Sequence, residues 1–254
     1  MQKKSGLLVF VFLIFAYSTF SQNNEGKKTN HFGTVITVTN KGISTIPNLS
    51  LGKPAVIFDL SVGTERFSFD PQFRFALEGN PWSFLFWLRY KIVESEKFHF
   101  SFGGHPALSF RETIVTKDGI SSKDMVVRRY LAGELYPSYS FSKNITAGIY
   151  YLYSRGIESD IPQNTNFINL RSTFSNIKLT DQYFLRFSPQ FYYLKMDKKD
   201  GFYYNATLTL SKKNCPFSVS GLVNKAFKTN VTAENKLLWN LSLIYSFNKK
   251  YVEQ

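Results

Sequence analysis

The sequence predicts an all-β chain, about twelve antiparallel strands closed into a membrane-spanning barrel. Three observations predict it. From Phe67 to Phe247, apolar and polar residues alternate in successive runs, and the apolar member is very often aromatic. The connections between runs alternate between longer and shorter. The chain opens with the pattern of an export signal.

The export signal comes first along the chain. Lys3 and Lys4 form a positive n-region, and Leu7 to Tyr17 is an apolar stretch too short for an ordinary transmembrane helix. Thr19 and Ser21 suit the −3 and −1 positions, so cleavage is expected after Ser21, with residues 1–21 removed. Residues 22–31 are polar and read as a flexible lead-in, with residues 32–254 forming the barrel. Strands are expected at 32–39, 55–62, 66–77, 82–93, 97–111, 125–141, 145–155, 166–175, 183–196, 201–211, 216–225 and 236–248. Ile43 to Leu51 is an equally good first strand, with Gly52 and Lys53 as its turn.

Period 2 sends alternate side chains to opposite faces of a strand. Phe98, Phe100, Phe102, Pro106, Leu108 and Phe110 share one parity; Lys97, His99, Ser101, His105, Ser109 and Arg111 share the other. In a membrane barrel the bulky face meets lipid and the polar face lines the lumen. Connections at 112–124, 156–165 and 226–235 read as long, and those at 63–65, 94–96 and 142–144 as short. Long external loops and short periplasmic turns give this alternation, although 78–81 and 197–200 break it. A tight turn at Glu78 to Pro81 would set Phe73 opposite Phe86, Phe75 opposite Phe84, and Asp70 opposite Arg89. Pro71, Pro106, Pro137 and Pro189 all take the outward parity. Proline removes a ladder donor, so bulges or unpaired groups are expected beside them.

Composition narrows the function. The 254 residues include 26 Phe and 15 Tyr, far too aromatic for a disordered chain. Net charge is +13, yet export disfavours nucleic acid as partner. Cys215 is the only cysteine, so no internal disulfide forms. No Gly-rich phosphate loop and no metal-ligand spacing is present, so no cofactor is expected.

The export signal ending in Ser21-Gln22, the aromatic-out strands and turns such as Ser140 to Asn144 resemble outer-membrane β-barrel proteins of Gram-negative bacteria, porin-like in the broad sense. The resemblance covers nearly the whole mature chain and implies outer-membrane lipid as surroundings. Phe247 stands in for the usual C-terminal phenylalanine, with seven residues after it.

The expected lumen-facing basic set is Arg66, Arg74, Arg89, Lys91, Lys97, Arg111, Arg128, Arg171 and Arg186, with Asp59, Asp70 and Glu134 as acidic partners. Such a track would draw small anionic solutes through a narrow passive channel. A self-paired network that plugs the lumen is the competing reading, which would make the barrel a scaffold or accessory of an envelope complex. Some outer-membrane lipases and lipid A deacylases resemble this architecture and carry His-x-Ser on one strand, a spacing that His99 and Ser101 match. Parity turns that pair toward the lumen and away from lipid, which disfavours a lipid-modifying enzyme. His105 and Glu134 face inward on successive strands, as an acid–base pair or a structural hydrogen bond.

Overall fold

The computed structural model describes residues 29–117, 120–231 and 237–252. The export signal, its cleavage site and the lead-in as far as residue 28 lie outside the described residues. Twelve strands run in chain order: β1 (Thr29–Thr39), β2 (Ala55–Gly63), β3 (Phe67–Ala76), β4 (Pro81–Glu94), β5 (Phe98–Lys117), β6 (Ile120–Ser142), β7 (Ile145–Gly156), β8 (Asn164–Lys178), β9 (Tyr183–Met196), β10 (Lys199–Lys212), β11 (Phe217–Thr229) and β12 (Leu238–Val252). Each pairs antiparallel with its chain neighbours, and β1 pairs with β12, so the sheet closes on itself.

Two expectations near the start are corrected. Strand β1 begins at Thr29, so residues 29–31 belong to the barrel and not to the lead-in. His31 pairs with Gly63 and Lys250 in the ladder, and its Nε2 lies 3.0 Å from Ser61 Oγ. Ile43 to Leu51 is not a strand: it carries only a 3₁₀ turn at Pro47–Leu49 and folds back into the barrel mouth. The expected long connection at 112–124 is replaced mostly by strand, because β5 and β6 continue pairing to Lys117 and Ile120.

Closure explains the aromatic face. Phe102, Leu135, Leu170, Phe191, Trp239 and Leu241 all stay exposed on the outer wall. A continuous apolar wall of this extent is incompatible with water and suits the hydrocarbon of a bilayer. Tyrosines mark its rim near the connections at 157–163 and 197–198. Tyr153 donates to Asn164 Oδ1 at 2.8 Å and Tyr193 to Asp200 Oδ2 at 3.0 Å, each with its ring on the apolar wall and its hydroxyl at the polar edge.

The β3–β4 register differs by two residues from the expected one. Phe73 faces Phe84, Pro71 faces Phe86, and Asp70 faces Trp87. The turn closes between Ala76 and Asn80, with Gly79 at φ +97°, and a bulge at Arg74/Phe75 absorbs the odd residue. An even shift keeps every side chain on its face. The Asp70–Arg89 pair therefore survives as a diagonal contact of 2.8 Å.

The four outward prolines act alike. Pairing lapses between β2 and β3 beside Pro71, between β4 and β5 beside Pro106, between β6 and β7 beside Pro137, and between β8 and β9 beside Pro189. Register is the same on both sides of each gap. The opposite neighbour stays paired at every one of the four: Phe86, Leu131, Phe100 and Ala206. A residue's N–H and C=O point to the same neighbouring strand, so losing the donor weakens one ladder and spares the other.

Candidate functional site

The lumen is not an empty tube. One contiguous apolar cluster starts at Trp87 on β4, passes through Tyr150, Leu152 and Phe167, and reaches Tyr203 and Ala226 on β10 and β11. Their burial shows that inward side chains fill much of this part of the lumen. Ile46 of the folded-in connection packs against the same cluster. That connection is anchored by Trp82, whose Nε1 donates to Leu49 O at 2.9 Å, and by Arg111, whose guanidinium reaches Ser50 O and Asn48 O at 3.3 and 3.4 Å. Gly42 lies so close that an added Cβ would meet the Trp82 ring at 3.0 Å.

A chamber of about 470 Å³ remains beneath Ser44–Leu49, bounded by the inner faces of β3 to β9. Its floor is a charged network. Arg89 Nε donates to Glu134 Oε1 at 2.6 Å, and its Nη1 donates to Asp70 Oδ2 at 2.8 Å. Tyr150 donates to the other Glu134 oxygen at 2.6 Å. Ser61 and Ser68 both donate to Asp70. A carboxylate buried as deeply as Glu134 is tolerable because it is paired and hydrogen-bonded on both oxygens. Gly103 makes room for it: a Cβ there would lie 2.9 Å from Leu88 O and 3.1 Å from Glu134 Oε1.

Two further guanidiniums line the chamber differently. Arg74 lies over the Trp82 ring at 5.0 Å and Arg171 over the Tyr150 ring at 3.7 Å. Neither makes an ion pair or hydrogen bond among the described residues, and the Nε of each is buried without a partner. Ser83 Oγ, also on the chamber wall, is buried and unpartnered too.

The chain matches no family model and no curated protein in sequence. Among solved structures, LpxR from Salmonella typhimurium superposes with a TM-score of 0.52 at 10% identity, over 85% of this chain and 100% of that one. NanC porin gives 0.49 at 11% identity over 87% and 100%. An outer membrane channel from Pseudomonas putida F1 gives 0.48 at 9% identity over 90% and 98%. The fold is that of outer-membrane β-barrels.

Within this barrel, the nine expected basic residues do not form one track. Arg66 and Lys97 fall in turns just before β3 and β5, exposed at the barrel end that carries the chain termini. Lys91 pairs with Glu94 at 3.4 Å, and Arg186 is exposed on the inward parity of β9, opposite Thr209. Arg128 pairs with Asp160 of the β7–β8 connection. Arg111 holds the folded-in connection, and Arg89 is spent on two carboxylates. Only Arg74 and Arg171 are left lining the chamber without a carboxylate in contact. Of the expected acids, Asp70 and Glu134 serve Arg89, while Asp59 accepts from Gln72 Nε2.

The histidine expectations need correction. His105 and Glu134 are not a pair: His105 faces Ala132 in the register, its Nδ1 lies 3.2 Å from Pro106 O, and its ring lies tilted against Trp87 with the centroids 3.8 Å apart. His99 contacts Ser140, not Ser101, with Nε2 3.3 Å from Ser140 Oγ and Nδ1 3.3 Å from Glu94 Oε1. The order Ser–His–Glu is that of an acid–base relay. However, the Ser140 amide already donates to Lys97 O at 2.7 Å and is not free to stabilise an oxyanion.

Two inward tryptophans stand outside the expected site: Trp82 anchors the connection, and Trp87 belongs to the apolar cluster and lines the chamber. Leu85 and Trp87 carried a signal, as apolar residues on the inward parity of β4; Trp82 carried none, because it is one residue out of that parity and is the extra residue at the bulge opposite Arg74/Phe75.

Proposed function

We propose that the protein is exported through a signal peptide cleaved after Ser21, sits in the outer membrane, and acts as a narrow passive channel with a bias toward small anionic solutes. The end bearing both termini would face the periplasm, as even-stranded barrels do, and the connection at 40–54 would form the external constriction. One observation supports the reading: Arg74 and Arg171 line the lumen chamber with no carboxylate in contact with either among the described residues. Fixed positive charge in a narrow, low-dielectric passage favours anions.

Planar-bilayer recording tests it. Wild-type protein should give a small, anion-selective conductance. Loosening the constriction with Trp82→Ala and Arg111→Ala together should raise that conductance. A cation preference, or silence in both proteins, refutes the channel.

A second reading has its own support. The buried cluster from Trp87 to Ala226 fills part of the lumen, as expected for a closed barrel that acts as a scaffold in an envelope complex. Silence in bilayers together with a stoichiometric partner after mild-detergent purification would favour it.

A further inference from the structure

We infer that the lumen chamber is a binding site for one small organic anion with a planar apolar body, such as an aromatic carboxylate. The inference rests on the anionic reading of the lumen and goes beyond it, because it requires a resident site and not merely a biased passage.

The polar side of the argument is unpaid hydrogen-bonding capacity. A guanidinium carries five donors in a fixed fork, which match a carboxylate in bidentate fashion. Arg89 shows what a satisfied guanidinium looks like in this barrel, with a carboxylate at 2.8 Å and another at 2.6 Å. Arg74 and Arg171 line the same chamber and have only aromatic faces beneath them. Asp59 and Glu134 act on them only at longer range, and a guanidinium taken from water without a contacting, hydrogen-bonded counter-charge is disfavoured. Ser83 Oγ adds a buried hydroxyl that also lacks a partner. These residues border one space, and an anion within it would give the two guanidiniums a shared counter-charge.

The apolar side is the wall. Trp87, Tyr136, Tyr150 and Phe167 line the chamber, and Leu85 and Ile46 close it. Bare inorganic anions would leave that wall without contact, whereas a ring would cover it. A volume of about 470 Å³ lies within the range of small-molecule sites. Oligomeric solutes would have to displace Ile46 and the 3₁₀ turn that roof the chamber.

The test uses the full-length mature barrel in detergent micelles. The probe is 2-naphthoate, followed by calorimetry and by quenching of tryptophan emission. Acetate and 2-naphthalenemethanol supply the head and the ring separately. Saturable binding of 2-naphthoate is expected, with at least about tenfold weaker binding of each half-probe. Arg74→Gln and Arg171→Gln should each weaken 2-naphthoate binding by about tenfold, the loss of one charge-assisted contact. Ser83→Ala should weaken it less, and it serves as the variant least able to disturb folding. Heat-shifted gel mobility checks that each variant is folded.

Several outcomes overturn the site. They are no saturable binding of 2-naphthoate, equal binding of the neutral alcohol, equal binding of acetate, or unchanged affinity in both arginine variants. Failure of the channel is separable. Tight 2-naphthoate binding with silent bilayers keeps the site and removes conduction. Anion-selective conductance without saturable binding keeps the channel and removes the site.

Discussion

The two sides of the lumen solve the same problem differently. Around β9 to β11 the inward residues fill space with neutral side chains: Tyr192 stacks on Tyr203 at 4.8 Å with 6° between the rings, and Tyr192 and Asn224 hydrogen-bond each other at 2.8 and 3.1 Å. Around β3 to β8 the inward residues include the charged groups Asp70, Arg74, Arg89, Glu134 and Arg171 beside an aromatic wall, and a chamber remains. Both sides obey the same rule of outward apolar and inward polar alternation. The difference lies in what the inward polar groups need. Tyr and Asn satisfy one another at close range and let a wall collapse inward. Long guanidiniums need carboxylates, and the described lumen has enough of them at close range for Arg89 but not for Arg74 or Arg171.

The contrast breaks most sharply at Glu134. Changing Glu134→Ala leaves Tyr150 without its acceptor and Arg89 with Asp70 alone. Removing one partner of a buried ion pair costs about 3–5 kcal/mol. The expected result is a marked fall in the urea concentration at which the heat-modifiable form is lost. Asp70→Asn should cost less, because Asp70 is more exposed and Arg89 keeps Glu134. If Glu134→Ala and Asp70→Asn cost the same small amount, the ionic network does not hold the chamber side together.

On the filled side the matching change is Tyr192→Phe. It removes one hydroxyl and strands the Asn224 amide, for a cost of about 1–3 kcal/mol. The same urea midpoint reads it. A loss as large as that from Glu134→Ala would mean that the two sides are equally polar in their energetics, and the comparison would fail.

Much of this was legible in the sequence, for reasons that differ by level. Period 2 fixes which face each residue takes, so the inward placement of Arg74, Arg89 and Arg171 followed from parity alone. Strand ends came within a few residues for most strands, and Tyr183–Met196 matched at both ends. Register was harder. The β3–β4 slip of two residues leaves parity untouched, so no facial pattern could detect it. Partners were harder still: Ser140 meets His99 from the next strand, and a sequence motif along one strand sees only Ser101. The filled lumen did leave a trace. Runs such as Ile149-Tyr150-Tyr151-Leu152 and Phe191-Tyr192-Tyr193-Leu194 are apolar on both parities, which marks strands covered on both faces. The inward fold of 40–54 left none, because its anchor, Trp82, lies far along the chain.

The smallest expected effect sits at the rim between the two sides, in the connection at 157–163. The Glu158 carboxylate accepts from the Arg129 amide at 2.8 Å and from Arg129 Nε at 2.6 Å. The backbone hydrogen bond first, then the side-chain one, holds its pKa below the ordinary 4.5. With the folded pKa depressed, this clamp is present above 4.5 and is lost only as pH falls through the lower folded value. Physiological pH changes should therefore leave it intact, while Glu158→Gln removes its charge at any pH. Trypsin cleavage after Arg155 at pH 7 should then run about twofold to fivefold faster in the variant, a modest change because the pair is partly solvated. Equal rates would show that the rim is held by the strands alone, and the boundary between the chamber side and the filled side would then owe nothing to its charges.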